Sequence, residues 1–101
     1  MAFRKVATVS EVPQGKGKQL TVDGSKVALF NVSGTFYAID DTCPHRGGPL
    51  SAGTVSGKEV ACPWHGAKFD VGSGAFLSPP AQSGVKSYPV QVVGDEVQID
   101  V

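Results

Sequence analysis

The sequence predicts an all-β domain, an antiparallel sandwich or barrel. Three observations carry that expectation. Thirteen glycines and seven prolines punctuate short runs rich in Val, Thr, Phe and Tyr, as strands joined by tight turns require. Apolar residues almost never recur at helical spacing. In the final run Val97, Ile99 and Val101 alternate with Gln98 and Asp100, which gives one buried and one wetted face.

The elements follow in order. Strands are expected at Phe3–Val9, Lys18–Val22, Lys26–Val32 and Thr35–Ile39. Asp23-Gly24 and Ser33-Gly34 sit where hairpin turns belong. Thr54–Val55 and Glu59–Cys62 make a short pair joined by Ser56-Gly57-Lys58. Ala67–Val71 and Ala75–Leu77 make another, turned by Gly72-Ser73-Gly74. A single strand Val85–Val93 then pairs with Glu96–Val101 through Gly94-Asp95. Residues 42–70 read as an insertion at the tip of a base formed by residues 1–41 and 71–101.

At 101 residues the chain is one domain with a modest core. Nine basic residues balance nine acidic ones, which argues against nucleic acid, whose phosphates need a basic face. Lys16 and Lys18 read as part of a solvated glycine-rich turn. Asp40, Asp41, Lys68 and Asp70 read as surface charges or turn formers. Phe30, Phe36, Tyr37, Phe69 and Phe76, and Tyr88 with them, read as core residues beneath the inserted segment. No apolar stretch reaches membrane-helix length, and the first residues show no export pattern. The expected location is the cytoplasm, where two cysteines are ligands sooner than a disulfide.

The chemistry concentrates in two loops. Cys43 and His45 lie in CPHRGG, and Cys62 and His65 lie in CPWHGA, with sixteen residues between His45 and Cys62. These are the only cysteines and histidines in the chain. Two soft thiolates and two imidazoles in paired tight loops point to a metal site. Pro44 and Pro63 fix the backbone after each cysteine. Gly47, Gly48 and Gly66 allow the chain to bend closely around something bulky. Tetrahedral zinc would accept the same donors, but its cysteines usually come as a C-x2–4-C pair, and here each pair is mixed. A nucleophilic role for the cysteines lacks a third, orienting group.

The pattern C-x-H-x16-C-x-x-H, with CPHRGG and CPWHG, resembles the Rieske 2Fe–2S signature over essentially the whole chain. The resemblance implies a Rieske-like β-sandwich with a small cluster-binding subdomain of two loops. It implies that Cys43 and Cys62 hold one iron and His45 and His65 the other, with Ser78-Pro79-Pro80 in a loop packed over the cluster. Respiratory members of the family carry an extra cysteine in each loop, joined as a disulfide, where this chain has Gly48 and Trp64. They also carry a serine and a tyrosine that donate to sulfur, where this chain has Ala67 and Phe69. Neither of these side chains can donate. If each bond favours the reduced form by roughly 1.5–3 kcal/mol, each loss lowers a one-electron potential by about 60–130 mV. A low-potential cluster is expected.

The four ligands and two sulfides fill every iron position, so the resemblance implies single-electron transfer without bond chemistry, and no enzyme activity of the chain's own. The implied role is a monomeric ferredoxin. It would take electrons from an NAD(P)H-dependent flavoprotein reductase and pass them to a terminal aromatic-ring-hydroxylating oxygenase. Arg46, Trp64, Pro79 and Pro80 are candidates for a transient docking surface. Two other readings stay open from the sequence: the small subunit of an assimilatory NAD(P)H nitrite reductase, and a zinc-stabilised interaction module without a redox role.

Overall fold

A computed structural model describes residues 3–22, 24–42, 49–63, 67–78 and 84–100. Eleven antiparallel strands form three sheets among these residues. The first sheet has the order β1 (Phe3–Thr8), β11 (Glu96–Asp100), β10 (Val90–Val93). The second has the order β2 (Lys16–Val22), β3 (Ser25–Val32), β4 (Thr35–Asp40), β9 (Ser87–Tyr88). The third runs β5 (Thr54–Ser56), β6 (Glu59–Ala61), β7 (Lys68–Asp70), β8 (Phe76–Ser78). The all-β antiparallel expectation is borne out. Among the described residues no helix is long and apolar enough to cross a membrane.

The second sheet is buried on both faces, which explains the unbroken apolar run Val27–Phe30 in its central strand. Side chains alternate along a strand, so Val27 and Leu29 point one way and Ala28 and Phe30 the other. On one side Val27, Leu29, Phe36 and Ala38 pack with Ala7, Tyr88, Val97 and Ile99. On the other, Ala28, Phe30 and Ile39 pack with Leu50, Val60, Cys62, Ala67, Phe69 and Val71. The molecule thus has two cores that share one sheet.

Several expectations need correction. The strand expected over Val85–Val93 is broken at Pro89. Its first part pairs with β4 in the second sheet, and its second part pairs with β11 in the first. Proline lacks the N–H a continuing ladder needs, and the break lets the chain change sheets. Phe36 and Tyr88 belong to the core on the far side from Cys62, not to the one beneath the inserted loops. Lys16 and Lys18 lie in β2 rather than in a turn, and Lys18 Nζ pairs with Glu11 at 2.6 Å. Two 3-10 turns, Val9–Glu11 and Leu50–Ala52, had no sequence counterpart. Three residues are too few to show a period.

The Ser33-Gly34 turn forms as expected. Both residues take positive φ, 53° and 91°, as a tight hairpin turn of matching twist requires. Asn31 is buried beside it, accepting from the Gly34 N–H at 2.9 Å and donating to the Val12 carbonyl at 2.7 Å.

Candidate metal centre

Cys62 is the one expected ligand within the described residues. It is unpaired, 3% exposed, and stands just beyond the end of β6. Cys43, His45 and His65 lie outside the described residues, as do the docking candidates Arg46, Trp64, Pro79 and Pro80. What the structure describes is the ground from which these segments spring.

Each segment leaves from a closed base. Thr42 and Pro49 form an antiparallel bridge across residues 43–48. The Cys62 N–H donates to the Ala67 carbonyl at 2.7 Å across residues 63–66. The segment 79–83 leaves β8 and returns at Gly84, where the Val85 N–H donates to the Gly74 carbonyl at 2.8 Å. All three bases rest on the same core. Leu50, Cys62 and Ala67 belong to it, and Val85 packs against it. One packed core thus fixes where each of the three segments leaves and where it returns.

Close backbone approaches build this base. A Cβ at Gly53 would stand 2.2 Å from the Ala61 carbonyl oxygen, so only glycine lets the Leu50–Ala52 turn run into β5 beside β6. Gly74, at φ 78°, brings its backbone so near Val85 that a Cβ would meet the Val85 carbonyl oxygen at 2.0 Å.

Sequence reasoning underrated the aspartates. Asp41 is 1% exposed, and its Oδ1 accepts from the Ser51 N–H at 2.7 Å. Its Oδ2 accepts from the Gln19 side-chain amide. Asp40 turns to other partners: Oδ1 accepts from the Tyr88 hydroxyl at 2.6 Å, and its N–H donates to the Lys86 carbonyl at 2.9 Å. Adjacent residues therefore tie the end of β4 to the Leu50–Ala52 turn and to β9. Asp70 behaves as a turn former, accepting from Gly72 and Ser73 N–H groups at 2.8 and 3.0 Å. Only the position of Asp41 two residues before Cys43 could have signalled that it is held in place.

The chemistry of the donor set fits an iron–sulfur group. Cys62 is a free thiol shielded from water, and Ala67 and Phe69 beside it are fully buried and offer no side-chain donor. Thiolate ligands in such a setting keep their negative charge through the metal.

Known proteins agree. A family model described as the Rieske [2Fe-2S] domain matches residues 2–89. The chain is 42% identical over 101 residues to a biphenyl dioxygenase ferredoxin subunit of Pseudomonas sp. (strain KKS102), covering 99% of this chain and 93% of that protein. It is 40% identical over 91 residues to the ferredoxin component of a naphthalene 1,2-dioxygenase system of Pseudomonas aeruginosa, covering 90% and 88%. Among solved structures, the ferredoxin of carbazole 1,9a-dioxygenase from Nocardioides aromaticivorans IC177 superposes with a TM-score of 0.92 at 31% identity, covering 98% and 97%. A ferredoxin chain solved in complex with its oxygenase, also of carbazole 1,9a-dioxygenase, gives a TM-score of 0.89 at 33% identity, covering 96% and 91%. The three closed bases, the free buried Cys62 and these matches lead to one conclusion: the chain belongs to the Rieske [2Fe-2S] domain family.

Proposed function

We propose that this protein is a one-electron carrier between an NAD(P)H-dependent flavoprotein reductase and a terminal, aromatic-ring-hydroxylating oxygenase. One observation carries the reading: the match to a dioxygenase ferredoxin subunit runs over 99% of this chain and 93% of that protein. Its relatives are carriers within multicomponent systems and not catalysts in themselves. Cys43, His45, Cys62 and His65 would hold one 2Fe–2S cluster, which would take up and release single electrons.

Within that reading each part of the chain has a task. Residues 42–70 serve as the cluster-binding subdomain, and 1–41 with 71–101 as its base. The core around Phe30 and Phe69 keeps water from the buried side of the centre. Arg46, Trp64, Pro79 and Pro80 supply the surface on which reductase and oxygenase dock in turn. One surface serving two partners calls for weak, transient contact. The protein works as a monomer in the cytoplasm.

The test is direct. Purified protein should carry two irons and two acid-labile sulfides per chain. Its midpoint potential, followed by film voltammetry from pH 6 to 10, should be low, flat near neutrality and falling in alkali. His65→Cys should alter or abolish the spectrum. A colourless chain with one zinc would sink the reading, and a high potential falling near neutral pH would point to quinol chemistry instead. Reduction by a dioxygenase reductase and reoxidation by its oxygenase, in stopped flow, would establish the partners.

A further inference from the structure

Two sheet edges run beside each other without pairing. β1 ends the first sheet and β2 ends the second, and among the described residues no backbone hydrogen bond joins them. Between them lies an open groove of about 310 Å³, lined by Arg4, Lys5 and Val6 from β1 and by Leu20, Thr21 and Val22 from β2. Side chains alternate along a strand, so three consecutive residues cannot all turn the same face to it. Both walls therefore present strand edge, backbone included.

The floor of the groove is apolar. Leu20 and Val22 are buried in the core between the first two sheets, and Val6 packs against that core. The rim is basic. Arg4 stands across the ladder from Ile99, which is fully buried. Directly opposed residues share a face, so Arg4 leaves β1 toward the second sheet. Arg4 is already engaged within the chain. Lys5 is exposed and has no ion pair among the described residues. Among those residues no carboxylate lines the groove.

An open edge invites a further strand unless something blunts it. The first half of β2 is blunted: it carries Lys16 and Lys18, and at Gly17 it lies so near the Ser51 carbonyl oxygen that a Cβ would meet it at 2.7 Å. Leu20–Val22 carries no charge, and its edge opens on the groove. Two basic side chains are too few to track a phosphate backbone, but they suit one or two carboxylates.

We propose that the groove between β1 and β2 is a docking site for an extended acidic segment of a partner protein. The segment lies along Leu20–Val22 as an added strand. Its apolar side chains meet Val6, Leu20 and Val22, and its carboxylates meet Lys5 beside Arg4. The site draws on none of the four candidate ligands, so it stands or falls apart from the carrier reading.

The probe is a fluorescent hexapeptide of alternating aspartate and valine, added to the purified protein and followed by anisotropy. It should bind, more weakly as salt rises, and shift the amide resonances of Val6 and Leu20–Val22. Lys5→Glu replaces one surface attraction by a repulsion and should weaken binding about tenfold. Lys5 is exposed on an edge strand, so the variant should fold. Lys68→Glu, on the third sheet, should bind as the unaltered protein does. No binding at millimolar peptide, or equal binding by Lys5→Glu, would overturn the proposal. So would equal binding of a peptide with asparagine in place of aspartate. Full displacement of the peptide by equimolar acetate or phosphate would mean a small-anion site instead. A dimer in sedimentation equilibrium that Lys5→Glu dissolves would mean that a second copy fills the groove, and would overturn the acidic partner.

Discussion

Tyr88 places its ring in the core between the first two sheets and its hydroxyl on Asp40 at 2.6 Å. Burial, and then the hydrogen bond and charge of Asp40, push its pKa from 10.0 up to about 12. Between those values the folded chain keeps a proton that the unfolded chain has lost. The stabilisation is therefore complete below pH 10 and disappears as pH rises through about 12. Tyr88→Phe should be less stable near neutrality by about 1 kcal/mol, a typical net hydrogen bond. That difference should close between pH 10 and 12 in urea titrations. A constant difference across that range would show that the bond is not what sets the alkaline limit. At this scale the candidate ligands stood out because Cys and His are scarce in the chain. Asp40 and Asp41 were not, because an acidic side chain is ordinarily solvated and only tertiary contacts reveal Asp41 as buried.

Strands were legible wherever alternation or an unbroken apolar run showed which faces are covered. Hence β3 and β11 matched closely, whereas the 3-10 turn at Leu50–Ala52 left no pattern to read. Pro89 did carry a signal, since a proline within an apparent strand argues for an edge or a break. The close contact at Gly53 was invisible because it depends on what folds against it. Gly53→Ala would drive a Cβ into the Ala61 carbonyl and to within 2.9 Å of Val60 Cγ2. Backbone cannot yield as a side-chain tip does, so a cost of about 1–3 kcal/mol is expected. Because the turn joins the base of the first loop to β5, bound iron should be lost faster to a chelator. Gly24→Ala is the control. Its Cβ meets nothing within 4 Å, and only its φ of 82° is strained. It should lower the melting temperature without speeding iron loss. Equal chelation rates for the two variants would separate Gly53 from the integrity of the site.

At the scale of the whole molecule, the shared central sheet joins two cores with different duties. One core, with Leu29, Val97 and Ile99, holds the first sheet to the second. The other, with Phe30, Phe69 and Cys62, carries the loop bases. Neighbouring residues on β3 therefore report on opposite sides. Leu29→Ala and Phe30→Ala each remove a fully buried side chain, at about 2–5 and 3–5 kcal/mol respectively. Both should lower the midpoint of backbone unfolding followed by far-ultraviolet circular dichroism. They should differ in visible absorbance, which follows the iron. In Phe30→Ala the colour should fade below the backbone transition, because the cavity opens beneath Cys62 and local opening needs less free energy than global unfolding. In Leu29→Ala colour and backbone should be lost together, because the damaged core does not touch the loop bases. If colour and backbone were lost in one step in both variants, the two cores would form a single cooperative unit. The centre would then be only as stable as the whole chain. A separation in Phe30→Ala alone would mean that the loop-bearing core can open by itself, and that the apolar packing under Cys62 sets how long the protein keeps its iron.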